Sequence, residues 1–315
     1  MVEDNMSTID IKKDNERASL RFRFPNVHPK ANFEISFKRT LRVPDDGEAY
    51  PLPAGLGNLP LQHIQDYGGK VSAEAIKRGG VLMPMYQSEA TWLNFQGSYP
   101  VAIKVATGKI NAVTGGAWSN SIHAEPQDYM VSPDQDWLDG FCIEKGRVRQ
   151  FVAEPLGRGE TVEEVITGEA EWGGFQLIVL PMKTSEYLKR FEVARRIEAD
   201  RMDYFIEATR FMSIEQEPTS MGIAAGGLLE QEIYEDRFGV DVWDTTAAAR
   251  CFVHLVNSEQ YQKITGNCAP HKPITKNDYL EAGIPWFESY KDLDPLSGGN
   301  FGALGNERNG VKYGL

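Results

Sequence analysis

The sequence predicts an α+β, strand-rich fold: an antiparallel sheet core, sandwich- or barrel-like, with one long helix and short C-terminal helices. Three stretches carry this. Residues 137–157 (WLDGFCIEKGRVRQFVAEPLG) read as a β-hairpin turning at Glu144-Lys145-Gly146. After the turn Val148, Gln150 and Val152 alternate with Arg149, Phe151 and Ala153, so successive side chains face opposite sides of a sheet. Residues 175–180 (FQLIVL) form a nearly continuous apolar run, as expected of a strand covered on both faces. Residues 184–205 place Leu188, Phe191, Ala194, Ile197 and Met202 at three-to-four spacing, the pattern of an amphipathic helix with Thr184 as its cap.

In chain order, residues 1–17 are polar and read as a flexible arm. Residues 18–183 read as the antiparallel sheet region. SLRFRF (19–24) and FEISFKRTLRV (33–43) alternate like strands, and PLPAGLGNLPL (51–61) is a Pro/Gly-punctuated loop. Ser72 caps one or two helical turns. Thr107-Gly108 joins a second hairpin, and the sheet is expected to extend over residues 101–182. A short helix is expected at 161–167. Residues 184–295 read as the long helix plus a mixed α/β region packed on the sheet, with a single domain over 18–295 as the alternative. There, MGIAAGGLL (221–229) reads as a Gly-rich loop before a strand in EQEIYEDRFG, and RCFVHLV (250–256) as a further strand. Ser258 caps a helix stopped by Gly266. Thr275 and Asp278 form a capping box with Asp in place of Glu. Residues 296–315 form a Gly-rich tail.

Charge and composition narrow the function. The chain of 315 residues has a formal net charge of −12 and 41% hydrophobic residues. No basic stripe marks a nucleic-acid binder. The densest cations, Lys189, Arg190, Arg195, Arg196 and Arg201, alternate with acids as on a solvated helix face. No apolar run approaches the roughly 20 residues of a membrane-spanning helix, and no signal core opens the chain. Three cysteines without framework spacing fit a cytoplasmic protein.

Several stretches occur together: RTLRVPDDGEAYPLPAGLG (39–57), GGVLMPMYQSEATWLNF (79–95), AIKVATGKINAVTG (102–115), residues 126–157, QEIYEDRFGVDVWD (231–244) and AGIPWFESY (282–290). On these the chain resembles a bacterial and fungal family of proteins of unknown function, over roughly residues 33–290. The resemblance implies no activity and no catalytic residues. Some members are labelled integral membrane proteins, which this sequence contradicts, and the short Gly-rich end here differs from their longer tails.

Candidate chemistry is sparse. Cys251-x-x-His254 followed by Cys268-x-x-His271 has ligand types suited to zinc. On a strand, however, Cys251 and His254 would point apart, and a buried cysteine beside a hydrogen-bonded histidine is the plainer reading. No cofactor is therefore expected, with a structural zinc as the exception. Cys142 is a nucleophile candidate without a neighbouring base. Glu230 and Glu232 would share a strand face, near Glu235 and Asp236, and could do acid–base work or hold a cation. A solvated strand face is commoner. Asp134, Asp136 and Asp139 lack a calcium-loop pattern and read as a turn. Met83, Met85, Tyr86 and Trp92, with Gly226 and Gly227, could line a ligand pocket, although such a segment is more often core. The glycines lack the lysine and context of a phosphate loop.

Three functional readings follow. The first is a non-catalytic structural protein that self-associates, a homo-oligomer built through strand edges or its two polar ends. The second is a small-ligand binding module. The third is a metal-assisted enzyme using Cys251, His254, Glu230 and Glu232. Nucleic acid and a membrane span are not expected.

Overall fold

A computed structural model describes residues 8–14, 17–192 and 221–284. In chain order its strands are β1 (Thr8–Asp14), β2 (Arg17–Arg23), β3 (Asn32–Thr40), β4 (Ala49–Tyr50), β5 (Gln62–His63), β6 (Val81–Pro84), β7 (Ala90–Gln96), β8 (Val101–Thr107), β9 (Ile110–Asn111), β10 (Met130–Ser132), β11 (Trp137–Leu138), β12 (Gly140–Glu144), β13 (Arg147–Pro155), β14 (Phe175–Pro181), β15 (Met221–Glu230) and β16 (Ala249–Val256). They make two sheets. The first runs β1-β2-β3-β7-β13-β15-β4, with β11 against β7 and β12 against β13. The second runs β10-β8-β14-β16-β6-β5, with β9 against β8.

Alternation in sequence becomes burial in the structure. Leu20 faces Ile35 and Phe22 faces Phe33 across β2 and β3, and Ile35 and Phe37 face Phe95 and Leu93 across β3 and β7. All six are buried. Phe37 and Phe151 of the first sheet meet Phe175 of the second at ring-centroid distances of 5.4 and 5.3 Å. The core therefore lies between the sheets, and the architecture is a sandwich.

The sheets are mixed, not purely antiparallel. β15 runs parallel to β4, and β16 parallel to β6. Each of these pairs is joined through strands of the other sheet, so the chain can return in its original direction. The hairpin at 137–157 forms as β12–β13, with Gly146 at φ 80° in its turn. Residues 101–182 do not form one sheet, however. β8, β9, β10 and β14 belong to the second sheet, whereas β11, β12 and β13 belong to the first. β14 is buried along its whole length between β8 and β16. That explains its continuous apolar run.

Three further expectations change. Thr8–Asp14, within the expected arm, is an edge strand, because Ile9 and Ile11 alternate opposite Phe22 and Leu20 and pack on the core. Met221–Glu230 is a strand, not a loop, and residues 231–236 are not a strand. Its glycines suit close approach: a methyl on Gly227 would lie 2.0 Å from the Pro44 carbonyl oxygen. Of the long helix, Thr184–Tyr187 is α-helical and Leu188–Glu192 continues as a π turn. Residues 193–205 lie outside the described residues. Thr184 is not the cap; its hydroxyl donates to the Val27 carbonyl.

The short helices follow their caps. α1 (Ala73–Arg78) is capped by Ser72, and α2 (Val162–Thr167) by a Thr161/Glu164 capping box. α3 is the Thr184–Tyr187 turn. α4 (Ser258–Thr265) is capped by Asn257 rather than Ser258 and ends at a left-handed Gly266. α5 (Lys276–Glu281) has the expected Thr275/Asp278 box. No helix among the described residues is long and apolar enough to cross a membrane.

A buried polar latch fastens residues 271–279 to the first sheet. Arg39 donates to Glu89 (2.5 Å) and to the Lys272 carbonyl (2.6 Å). Tyr86 donates to the His271 carbonyl (2.9 Å), and Tyr279 accepts from the Arg42 amide (3.0 Å). Burial alone would raise the Glu89 carboxyl, but the Arg39 guanidinium and His271 outweigh it and hold it down at about 2.

Candidate functional site

The outward face of the second sheet carries a cleft of about 500 Å³. Register builds its floor. Lys104, Ile178 and Arg250 stand side by side on β8, β14 and β16, and Ala106, Gln176 and Phe252 form the next row. Their neighbours Val105, Leu177 and Cys251 belong to the inter-sheet core. The alternation of β16 is plain in its burial, with Cys251, Val253 and Leu255 inside and Arg250 exposed.

One wall stands over β8. Asn111 accepts from the amides of Val113 and Thr114 (2.8 and 3.0 Å) and donates to the Asp128 carbonyl (2.8 Å), pinning both ends of a long loop. The Trp118 amide donates to the Lys109 carbonyl (2.7 Å). This sets the indole over Lys104, whose Nζ is 5.2 Å from the ring centroid. Lys104 is itself buried and donates to Asp128 (2.6 Å), Ser119 Oγ (3.0 Å) and the Ser121 carbonyl (2.5 Å).

The other wall stands over β16. The amides of Trp172 and Gly173 both donate to Glu163 Oε2 (3.0 and 2.8 Å), fixing the turn before β14. Burial raises the Glu163 carboxyl, partly offset by those two amides. Trp172 stacks on Phe252 at 5.7 Å and 20°, and the Arg78 guanidinium carbon lies 3.6 Å above its ring. At the rim, Lys109 pairs with Glu169 (2.8 Å) and Glu171 (2.5 Å), and Arg78 lies 3.8 Å from Glu171. Those carboxylates raise the Lys109 ammonium. No carboxylate among the described residues pairs with Arg250, although it lines the cleft.

The residues singled out in sequence are dispersed. Cys251 points into the core, and burial pushes its thiol up to about 12. His254, on the opposite face, has its ring nitrogen 2.8 Å from the Gly79 carbonyl, and burial lowers it. Cys268 is exposed, and His271 Nε2 lies 3.5 Å from Glu89 in the latch. The two Cys/His pairs do not converge, because a strand sends residues three apart to opposite faces. Among the described residues no group of three or more His, Cys, Asp or Glu could hold a metal. Burial, then the Glu232 charge, raises the half-buried Cys142 thiol, which disfavours a nucleophile. Glu230 ends β15 and Glu232 lies beyond it, both exposed. Asp134 pairs with Arg237 (2.7 Å), while Asp236 accepts from Tyr129 (2.6 Å) and Trp243 (2.9 Å). Met83 and Met85 are core. Tyr86 joins the latch, and Trp92 is half-buried with its ring 3.6 Å from where a Gly55 methyl would stand. Gly226 packs on Val152 as Gly227 does on Pro44.

Sequence reasoning missed Trp118, Trp172, Arg250 and Phe252 as a group. The legible signal was in RCFVHLV, where an arginine and an aromatic occupy the outward positions of a strand. Comparison of the chain with protein-family models, with curated proteins and with solved structures finds no match in any of the three. The functional reading therefore rests on geometry.

Proposed function

We propose that this chain is a small-ligand binding module whose site is the cleft on the second sheet. One observation carries the reading: a concavity of about 500 Å³ walled by Trp118 and by the Trp172–Phe252 stack, with Arg250 at its edge and no carboxylate among the described residues paired with it. Small-molecule sites are typically about 300–1,000 Å³, mostly apolar, with few polar groups. Among the described residues the lining contains no histidine and no carboxylate, and its lysine is already ion-paired. Binding therefore fits it better than turnover. The net charge of −12 disfavours nucleic acid as the ligand. Three unpaired cysteines suit a reducing, cytoplasmic setting. A thermal-shift screen of small molecules tests the reading. Hits should raise the melting temperature in wild type and lose that effect in Trp118→Ala and Phe252→Leu. Hits that keep their full effect in both variants would place binding elsewhere.

Self-association is the second reading. Strand edges support it weakly, since β1 carries Asp10, Lys12 and Lys13, charges that oppose edge pairing. A stronger motive is Trp137 and Tyr234, 43% and 54% exposed. Gln135 ties them together, donating to the Trp137 carbonyl (3.0 Å) and accepting from the Tyr234 amide (3.1 Å). Native mass spectrometry should then show an oligomer that Trp137→Ser with Tyr234→Ser dissociates. A monomeric wild type removes this reading.

A further inference from the structure

We propose that the ligand of the cleft is a flat aromatic ring bearing a single negative charge, an aromatic carboxylate, with its carboxylate on Arg250. This rests on the cleft being a ligand site and adds the chemistry it selects.

Shape gives the ring. β14 forms the floor between β8 and β16. Those flanking strands are therefore about 9–10 Å apart, two strand spacings. Trp118 rises over one and Phe252 from the other, and Ile178 lies between them. A cleft lined by aromatic side chains on both flanks favours a planar, polarizable ligand over a bulky aliphatic one.

Charge gives the anion and limits its number. The rim carries three cations, Arg78, Lys109 and Arg250, and two carboxylates, Glu169 and Glu171. Both carboxylates are engaged by Lys109, and Arg78 stands against Glu171. Deeper in, Lys104 is matched by Asp128. Arg250 is the rim cation that no carboxylate among the described residues engages. Its planar guanidinium suits a carboxylate held by two parallel hydrogen bonds. A polyphosphate would set several negative charges beside Glu169 and Glu171, which disfavours a nucleotide.

The test is calorimetric titration of the full chain with 2-naphthoate, its neutral analogue 2-naphthol, and acetate. Naphthoate should bind, naphthol at least about tenfold more weakly, and acetate not measurably. Arg250→Gln, a change at an exposed side chain, should bring naphthoate down to the level of naphthol and leave naphthol unchanged. Phe252→Leu should weaken both aromatics. Equal binding of naphthoate and naphthol, with Arg250→Gln indifferent, overturns the anionic class and leaves the cleft as a ligand site. Acetate binding as well as naphthoate overturns the aromatic requirement. Failure of all three probes to bind overturns this inference, while the cleft as a ligand site stands or falls separately on the thermal-shift screen with Trp118→Ala and Phe252→Leu.

Discussion

Lys104 and Asp128 form an ion pair of 2.6 Å in which the lysine side chain is 1% exposed. His123 Nδ1 lies 2.8 Å from the same Asp128 oxygen, and the Asp128 carbonyl accepts from Asn111. The pair ties the loop that carries Trp118 to the second sheet. Lys104→Met would leave Asp128 buried without its cation, and the expected loss is about 3–5 kcal/mol in urea unfolding. Adding Asp128→Leu should recover a large part of it. Equal losses in the single and double variants would show that the loop needs the charges themselves.

Asp139 is another buried carboxyl, with no cation paired to it among the described residues. Burial raises it from 3.8 to about 7, opposed only by the Trp137 indole N–H. The folded chain therefore keeps a proton that the unfolded chain has released between about pH 4 and pH 7. Stability should fall as pH rises through that window, by about 4 kcal/mol at most. Asp139→Asn should flatten this slope and melt higher than wild type at pH 8. Glu89 works in the opposite sense: held near 2, its ion pair contributes its full stability above about its usual 4.5, and that contribution is lost progressively as pH falls from there toward 2. Parallel pH–melting curves for wild type and Asp139→Asn would refute the Asp139 assignment.

The three thiols should react in a fixed order. Cys268 is exposed and should label rapidly with a disulfide reagent. Cys142, half-buried and raised by burial and by Glu232, should label slowly. Cys251, raised to about 12 by burial, should label only in denaturant. Rapid labelling of all three without denaturant would contradict the inward orientation of Cys251.

Gly227→Ala should be among the most damaging single-methyl changes, because backbone of Pro44 occupies the space and cannot rotate away. Gly157→Ala, at φ 96° with nothing within 4 Å, should cost only the backbone strain, roughly 1–2 kcal/mol. Soluble expression and chemical denaturation distinguish them. A Gly227→Ala protein as stable as Gly157→Ala would place β15 wrongly against residues 43–44.

Local chemistry was legible in the sequence, and long-range pairing was not. The turn at Gly146, the short helix at 161–167, the box at Thr275 and the stop at Gly266 follow from a few adjacent residues, so they could be read directly. Which sheet a strand joins depends on partners far away in the chain. Phe175 and Phe151 touch across the sandwich, yet nothing local in FQLIVL or RQFVAEP says that they belong to different sheets. MGIAAGGLL looked like a loop because glycine usually weakens a strand. Its glycines serve instead to admit neighbouring backbone. The cleft was hidden for the same reason: Trp118, Trp172 and Phe252 lie 54 and 80 residues apart in sequence and meet only through the register of β8, β14 and β16.

The order of the strands constrains how the molecule can come into being on a ribosome. β15 is the neighbour that β13 and β4 share, and β16 the one that β14 and β6 share. Both strands begin only after residue 220. Until they emerge, β13 and β14 each present an unpaired edge beside apolar residues, and neither half of the sandwich can close. The chain must then wait for its last third before it can become native. Nascent copies on one message are consequently the form most exposed to wrong partners, and synthesis arrested before residue 221 should yield aggregates, not a smaller folded protein.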